Sequence, residues 1–370
     1  MEALILTCST GGGHNSAASA IKEELIRRGH HADMLDPYTL VGKNLDKIIG
    51  EAYIKLVRHA PKIFGCLYKM GEWYSKMPVK SPVYFANEKM ENPLVNYLEN
   101  HHYDIIFMTH IFPGQMIAHL KAKGMKLPKT IFIATDYTCI PFTSEVNSDY
   151  YIIPNKNAIP DFVQKGIDEE KIRPLGIPIR RSFLDAPDHK SEKDPDKHYL
   201  LLSSGSIGVN KMYTVVKMFK IYLSLYPDNI LIVVCGNNTK LYQNLSKKYK
   251  DFKQIKIIQR TDKMAEYMKF CDLFISKPGG LSSTEAAAIG VPFIQIMPIP
   301  GCESVNIKFF DENGMSIGVG NKLRKLPSAL KQVQDKEFKE KMLKAQKDGV
   351  NTNSTSDICN FAESILLSEK

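Results

Sequence analysis

Residues 276–306, which read SKPGGLSSTEAAAIGVPFIQIMPIPGCESVN, form the segment that most constrains how this chain folds. An apolar run leads into a Pro-Gly-Gly turn, and the small residues that follow at 282–289 predict a helix. A Gly-Val-Pro break then ends the helix before a second apolar run at 293–297. A buried strand, a helix and another buried strand in this order predict a parallel sheet in an α/β protein.

The same alternation of strands and helices extends along the whole chain in two consecutive arrays. A polar stretch rich in Pro and Lys separates the arrays and is typical of a linker. We therefore predict an α/β fold with two doubly wound, Rossmann-like domains that face each other across a cleft. The predicted boundaries are a first domain at 1–184, a linker at 185–197, a second domain at 198–345 and, at 346–370, a C-terminal helix that packs back on the first domain.

The composition is typical of a soluble globular protein. Of the 370 residues, 44% are hydrophobic and 24% are charged, and this length accommodates two domains. The longest apolar runs are far shorter than the roughly 20 residues of a membrane span. The first ten residues, MEALILTCST, predict a buried strand and not a signal peptide. Seven cysteines without C-x-x-C spacing indicate a reducing cytosol and argue against disulfides or structural zinc.

The net charge of +9 favours an acidic partner, such as a phosphorylated ligand, a nucleic acid or an anionic lipid surface. Residues 43–89 contain nine basic and four acidic residues with aromatic residues interleaved, and Pro61, Pro78 and Pro82 divide the stretch into predicted helices. Two interpretations stay open: a solvated helical face, or a surface that lies on an anionic membrane. The membrane interpretation rests on Lys62, Phe64, Lys69, Trp73, Tyr74, Lys76 and Lys80. Nothing resembles a nucleic-acid-reading module, so no nucleic acid is predicted as a partner.

The Pro-Gly-Gly turn and the helix after it indicate a binding site for a nucleotide diphosphate. The first N–H groups of a helix and its dipole hold a phosphate without a metal ion. Glu285 is placed to accept hydrogen bonds from ribose hydroxyls, although Ser282 and Glu285 also match a simple capping box. A second loop at 203–208 suits diphosphate oxygens or is an ordinary βα loop. These two segments contribute the candidate donor-binding residues Ser204, Gly205, Ser206, Pro278, Gly279, Gly280, Ser282 and Glu285.

Two candidates for proton transfer follow predicted strands in the first half. His14 comes after Gly11, Gly12 and Gly13, at the start of a predicted helix. It is placed to act as a general base or to bind an acceptor, although a histidine that packs on its own loop is the alternative. Asp136 ends a strand and is the second candidate base, with an Asx-turn or helix N-cap as its alternative. Spacing alone does not decide which of the two is the base.

Several catalytic patterns are absent from the sequence. The glycines at 11–13 lack the Gly-Lys-Ser/Thr ending of a P-loop, and there is no H-E-x-x-H or G-x-S-x-G motif. The only D-x-D, at 194–196, lies in the predicted linker and not at a strand end. The ten histidines show no metal-ligand spacing. We therefore predict no metal and no cofactor.

Five motifs together resemble the diacylglycerol glycosyltransferases, which include monogalactosyldiacylglycerol synthase and processive diacylglycerol glucosyltransferase. The bacterial peptidoglycan-precursor GlcNAc transferase is a more distant resemblance. The motifs are STGGGHNSAA at 9–18, TDY at 135–137, VCGN at 234–237, KPGG through TEA at 277–286 and PIPG through ESVN at 298–306.

This resemblance implies a GT-B fold and inverting, metal-independent transfer of a hexose from a UDP-sugar to a lipid acceptor, foremost diacylglycerol. It also implies a cytoplasmic enzyme, peripheral on the inner face of the cell membrane. By position, Glu285 binds the ribose, the Gly205 loop binds the diphosphate, and Glu303 lies near the sugar. His14 and Asp136 are then on the acceptor side. Gly301 and Asn306 complete the donor set.

The chain departs from the family pattern at two places. Cys302 stands where the family usually has a Gln that reads the donor sugar, and residues 139–142 read CIPF where a His and a Trp are common. The donor sugar is therefore open. Two further functions also stay open: a UDP-sugar 2-epimerase of the same fold, and a non-catalytic protein that binds a UDP-sugar.

Overall fold

The computed structural model describes residues 1–42, 44–77, 79–187, 189–205 and 211–368, which form two compact units. The first unit contains the described residues of 1–181, 300–302 and 351–370, and the second contains those of 182–299 and 303–350. Each unit is built on one six-stranded parallel sheet with helices around it. The predicted α/β class with two parallel sheets is confirmed.

The sheet of the first unit has the strand order β2-β1-β3-β4-β5-β6. Its strands are β1 (Glu2–Leu6), β2 (His31–Leu35), β3 (Ile105–Met108), β4 (Lys129–Ile133), β5 (Tyr150–Ile152) and β6 (Ile172–Arg173). The apolar strands β1 and β3 are buried on both faces, as is expected when helices cover a parallel sheet. Leu6 pairs with Met108, and Met108 pairs with Phe132. The loops after β1, β3 and β4 therefore leave the sheet at one edge.

Helices cover both faces of this sheet. They are α1 (Gly12–Arg27), α2 (Tyr38–Val41), α3 (Leu45–His59), α4 (Pro61–Tyr74), α5 (Pro82–Glu88), α6 (Asn92–Glu99), α7 (Ile111–Ala122), α8 (Ile159–Gln164) and α17 (Ser354–Ser368). The helix α17 buries Ile358, Cys359 and Ala362 in one core cluster with α1 and the central strands. Arg28, just after α1, donates hydrogen bonds to Glu363 and to the Ser356 carbonyl.

The predicted helical character of the basic stretch is confirmed. Pro61 and Pro82 are the first residues of α4 and α5, where a missing N–H and a fixed φ suit a helix start. Lys43 and Pro78 lie outside the described residues. In the part of the chain that the structure describes, no helix is long and apolar enough to span a membrane.

The sheet of the second unit has the strand order β12-β11-β10-β7-β8-β9. Its strands are β7 (His198–Ser203), β8 (Asn229–Val234), β9 (Ile255–Ile258), β10 (Leu273–Ser276), β11 (Phe293–Ile296) and β12 (Ile317–Gly320). Ser276 pairs with Ser203 on one side and with Gln295 on the other. The loops after β7, β10 and β11 therefore leave this sheet at one edge.

The helices of the second unit are α10 (Met212–Leu225), α11 (Thr239–Tyr249), α12 (Met264–Phe270), α13 (Gly280–Ile289), α14 (Cys302–Glu312), α15 (Leu326–Gln334) and α16 (Lys336–Gly349). A short helix, α9 (Arg181–Leu184), lies where the chain passes from the first unit to the second. Five shorter 3₁₀ segments complete the described helical structure, at Thr143–Val146, Lys156–Ala158, Glu169–Lys171, Lys190–Glu192 and Leu323–Lys325.

Candidate active site

A small cavity lies at the edge where β1, β3 and β4 end. Five of the polar residues that line it form the first of two candidate sites, which we call the histidine site: His14, Thr109, His110, Thr135 and Asp136. Each of these residues is in the segment that follows one of the three strands. The in-register pairing of the strands thus brings together residues that are more than a hundred positions apart.

The imidazole of His14 has a defined tautomer. Its Nδ1 lies 2.6 Å from the Thr109 carbonyl oxygen, which only accepts hydrogen bonds. Nδ1 therefore carries the proton, and Nε2 is the nitrogen that accepts one. Burial lowers the pKa of His14, while the charge of Asp136 opposes this shift. A neutral imidazole with a basic Nε2 is the form that a general base requires.

A second histidine, His110, packs its ring against that of His14 at a centroid distance of 4.5 Å. Its Nδ1 accepts a hydrogen bond from the Phe112 N–H at 3.1 Å, which makes it the N-cap of α7. Its Nε2 therefore carries the proton and lies 3.1 Å from Thr10 Oγ1. Burial first, and then the charge of His14, lower the pKa of His110. The sequence analysis missed His110, although it follows a predicted strand as Asp136 does.

The structure also bears on the alternatives for the first unit. Asp136 does not cap a helix, because the next helical segment begins at Thr143 with Phe142 at its N-cap. Gly11 is the N-cap residue of α1, and Gly12 and Gly13 are in its first turn. Gly11 is extended, with a φ of 177°, and a Cβ there would meet nothing within 4 Å. The space next to Gly11 is therefore open.

The second candidate site lies at the edge where β7, β10 and β11 end, and we call it the glycine site. We assign to it the described residues Ser204, Gly205, Lys277, Pro278, Gly279, Gly280, Ser282, Glu285, Glu303 and Asn306. Gly279 has an extended backbone and is the N-cap residue of α13. The helix therefore begins at Gly280, two residues before the predicted start at Ser282. The first N–H groups of α13 have no acceptor within the helix, as in any helix. The predicted donor residue Ser206 lies outside the described residues.

Hydrogen bonds fix the loops of the glycine site. The fully buried Asn306 donates from Nδ2 to the Pro278 carbonyl at 3.0 Å. One oxygen of Glu303 accepts from the Ile299 N–H at 2.8 Å, and the other pairs with the Lys277 ammonium. Asn306 and Glu303, both predicted to bind the donor, thus also hold the two loops in shape.

The capping-box alternative for Glu285 does not match the structure. The N-cap residue of α13 is Gly279, which has no side chain, and Glu285 is six residues further on instead of three. The Ser282 hydroxyl donates to the Gly279 carbonyl at 3.2 Å. Glu285 is buried, with 7% of its surface exposed. Its role as the predicted ribose acceptor stays a prediction.

Two glycines of the predicted donor set have left-handed backbones. Gly205, with a φ of 66°, follows the buried Ser204, whose Oγ lies 3.4 Å from the Val234 carbonyl oxygen. Gly301 has a φ of 109° and groups with the first unit. A side chain at either position would be strained.

The predicted membrane residues lie on or beside α4. In the structure some of them are exposed and others are packed against neighbouring side chains. Lys62, Lys69, Lys76 and Lys80 are exposed, as is Trp73, whose exposed fraction is 65%. Phe64 is half-buried and packs edge-on against Tyr53 at 5.6 Å, and Tyr74 packs against Phe142 at 6.3 Å. The sequence analysis missed three further exposed apolar residues on the outer face of α4, Ile63, Leu67 and Met70.

No three His, Cys, Asp or Glu side chains are grouped so as to hold a metal ion within the ranges that the structure describes.

Comparisons with known proteins identify the family. Residues 14–179 match the monogalactosyldiacylglycerol (MGDG) synthase family, and residues 199–360 match the C-terminal domain of glycosyltransferase family 28. The processive diacylglycerol beta-glucosyltransferase of Bacillus subtilis (strain 168) is 28% identical, over 99% of this chain and 97% of its own. The enzyme of the same name from Staphylococcus aureus (strain Newman) is 30% identical, over 84% of this chain and 79% of its own. The chain belongs to the diacylglycerol glycosyltransferase family.

Several solved structures have the same fold as this chain although their sequence identity to it is low. MurG of Acinetobacter baumannii aligns with a TM-score of 0.64 and 14% identity, over 98% of this chain and 99% of its own. The S. aureus MnaA-UDP structure aligns with a TM-score of 0.67 and 14% identity, over 99% and 97%. A UDP-GlcNAc 2-epimerase from Neisseria meningitidis aligns with a TM-score of 0.64 and 12% identity, over 98% and 100%.

These comparisons confirm the predicted resemblance, the GT-B fold and the enzyme class, a glycosyltransferase. Because a MurG and an epimerase have equal TM-scores, the fold does not separate transfer from epimerisation. The family match favours transfer. The roles of individual site residues stay predictions.

Proposed function

We propose that this glycosyltransferase moves a hexose from a UDP-sugar to diacylglycerol at the surface of an anionic membrane, with inversion and without a metal ion. The observation that carries the proposal is the 30% identity to a processive diacylglycerol beta-glucosyltransferase over 84% of the chain. The name of that relative supports inversion, because UDP-glucose is an α-glycoside and its product is a β-glycoside.

In this proposal the glycine site binds the donor. The first N–H groups of α13, which have no acceptor within the helix, bind the diphosphate. The same groups stabilise the negative charge that develops on the departing UDP. Glu285 accepts hydrogen bonds from the ribose hydroxyls, and Glu303 lies near the sugar. The absence of a metal stays part of the proposal.

The histidine site activates the acceptor. The free hydroxyl of diacylglycerol attacks the anomeric carbon of the donor, and the bond between that carbon and the β-phosphate oxygen breaks. His14 Nε2 takes the hydroxyl proton, because Nδ1 already donates to the Thr109 carbonyl. The electron pair of the broken bond stays on UDP, which leaves. The charge of Asp136 raises the pKa of His14 and so favours its protonated form as the hydroxyl loses its proton.

The outer face of α4 places the enzyme on the membrane. Ile63, Leu67, Met70 and Trp73 are exposed there, with exposed fractions of 48–65%. Lysines beside an anionic bilayer each contribute about 1 kcal/mol, and exposed apolar side chains enter the interface. We propose that the protein is peripheral on the inner face of the cell membrane. The exposed apolar surface is what favours this over a solvated face.

The test is incubation of the purified protein with vesicles of diacylglycerol and an anionic phospholipid. UDP-glucose, UDP-galactose and UDP-N-acetylglucosamine are supplied one at a time, with and without EDTA. Mass spectrometry and proton NMR should detect a β-linked glycosyl-diacylglycerol whose yield is unchanged by EDTA. If EDTA abolishes product formation and magnesium restores it, the proposed metal-independent transfer is wrong.

Two other outcomes would replace the proposal. Conversion of UDP-N-acetylglucosamine to UDP-N-acetylmannosamine without an acceptor identifies a 2-epimerase. Binding of UDP without turnover of any donor and lipid identifies a non-catalytic binding protein.

A further inference from the structure

Lys277 is the first residue of the KPGG motif, and the structure places it in the glycine site. It is the first residue after β10, and its side chain is only 12% exposed. The predicted donor set includes the residues on either side of it in space but not Lys277 itself. It forms an ion pair with Glu303, whose side chain is 7% exposed.

Two glycines leave the space that the Lys277 side chain occupies. A Cβ at Gly205 would lie 2.7 Å from Lys277 Cε, and a Cβ at Gly279 would lie 3.2 Å from Lys277 Nζ. Gly205 and Gly279 belong to the two loops that we assign to the donor diphosphate. The ammonium group therefore lies between those loops, in contact with the turn that starts α13.

The electrostatics of this position favour an anionic ligand. The N-terminus of a helix carries about half a positive charge, and cations are stabilised at the opposite end. Burial of an ammonium group adds a desolvation penalty. Glu303 compensates the charge of the ammonium group, and the partial positive charge of the helix N-terminus remains beside this pair. A dianionic or trianionic ligand at this place would be stabilised by both the ammonium and the helix.

We propose that Lys277 binds the diphosphate of the donor and stabilises the charge on the leaving UDP, and that Glu303 positions Lys277 for this role. The inference rests on the proposed function, since it assigns a residue to the donor site. When the bond from the anomeric carbon to the β-phosphate oxygen breaks, its electron pair passes to that oxygen. The Lys277 ammonium keeps its proton and balances the new charge.

Calorimetric titration of UDP and of uridine into wild type and Lys277→Gln tests this role. The loss of charge-assisted hydrogen bonds is expected to weaken UDP binding about 10- to 100-fold, whereas uridine, which lacks phosphates, should bind within about twofold of wild type. Lys277→Arg keeps the positive charge and should retain most of the UDP affinity, whereas a residue that only fills the space between the loops would tolerate the smaller Gln at least as well as Arg. An unchanged affinity for UDP in Lys277→Gln, or a loss in Lys277→Arg as large as in Lys277→Gln, overturns the proposal.

The double variant Lys277→Gln/Glu303→Gln guards against misfolding, because it removes both charges of the buried pair and leaves neither charge buried without its partner. It should melt like wild type and still lose the preference for UDP over uridine. A double variant that keeps this preference overturns the role of Lys277. A wild-type protein that does not bind UDP at all instead refutes the proposed donor, which separates the two failures.

Discussion

The strand ends of the two units carry opposite kinds of chemistry. The histidine site brings together two imidazoles whose pKa values are lowered and which each donate from one nitrogen to a fixed acceptor. The glycine site instead combines glycine turns, a helix N-terminus and a Lys277–Glu303 ion pair. Groups that change their protonation suit the transfer of a proton. Groups that keep their charge suit the binding of a phosphate.

We therefore expect the two sites to serve different steps of the proposed reaction, proton transfer at the histidine site and UDP binding at the glycine site. Changes in the histidine site should slow turnover and leave UDP binding intact, and changes in the glycine site should weaken UDP binding. The outer face of α4 forms a third region, which should affect neither step once the lipid is delivered in detergent. The following variants test this division.

The largest effect is expected for His14→Gln. Loss of a general base lowers kcat about 10²- to 10⁴-fold, and initial rates of glycolipid formation measure it. The control is His101→Gln, which makes the same exchange at an exposed histidine and should retain full activity. If His14→Gln turns over at the wild-type rate, Asp136 or water is the base.

The pH profile sharpens the same prediction. Because burial lowers the pKa of His14 below its usual 6.5, more than half of the imidazole is neutral at pH 6.5, and the protonated form prevails only at lower pH. Turnover with wild-type enzyme should therefore fall only on the acid side of pH 6.5. A half-maximal rate at or above pH 7 would show that a different group controls activity.

The next largest effect is expected on the membrane. Replacement of Lys62, Lys69, Lys76 and Lys80 by Glu removes attractions of about 1 kcal/mol each, so co-sedimentation with anionic vesicles should be abolished. Wild-type binding should rise with anionic lipid content and fall with salt. The control exchanges four exposed lysines of the second unit, Lys240, Lys247, Lys248 and Lys250, for the same change in net charge. If both variants lose vesicle binding equally, the loss comes from the change in net charge, and the α4 region is not the membrane-binding surface.

A smaller effect is expected for Glu285→Ala. Loss of hydrogen bonds to the ribose hydroxyls should weaken UDP binding by about 1–3 kcal/mol. Circular dichroism and a melting curve check that the variant is folded. Calorimetry that shows unchanged UDP affinity in the folded variant would leave Glu285 with a structural role only.

The smallest effect is expected for Trp73→Ser, which removes one apolar side chain from the membrane interface. Partial burial of such a side chain contributes about 1–2 kcal/mol, so vesicle affinity should fall by about one order of magnitude. Phe64→Leu is the matched control, since Phe64 packs against Tyr53. A larger loss for Phe64→Leu than for Trp73→Ser would reverse our assignment of the outer face.

The sequence predicted the parts of the fold that depend on local patterns. The apolar runs and glycine turns placed most strands of both sheets, and the prolines placed the starts of α4 and α5. The sequence predicted no element for α14, β12, α15 or α16: β12 contains two glycines, and α16 is strongly charged with few buried residues. Their packing against the rest of the second unit, and not a local pattern, defines these elements.

The site was predicted where residues follow a strand and missed where long-range contacts define the role. His110 becomes a fixed neutral imidazole only through Phe112 and Thr10, and Thr10 is 100 positions away in the chain. The side chain of Lys277 fits into the glycine site only because Gly205, which lies 72 positions earlier, has no side chain. On α4, the interleaved aromatic residues of the sequence indicated Phe64 and Tyr74 as membrane contacts. The packing of the helix leaves Ile63, Leu67 and Met70 exposed instead.

The most direct test of the division between the two sites measures UDP affinity and turnover on the same preparations of His14→Gln and Glu285→Ala. The account predicts that His14→Gln binds UDP within about twofold of wild type and loses at least about a hundredfold in kcat. It predicts that Glu285→Ala loses UDP affinity. A His14→Gln variant that binds UDP as weakly as Glu285→Ala, or a Glu285→Ala variant that binds normally and fails only in kcat, would contradict the account.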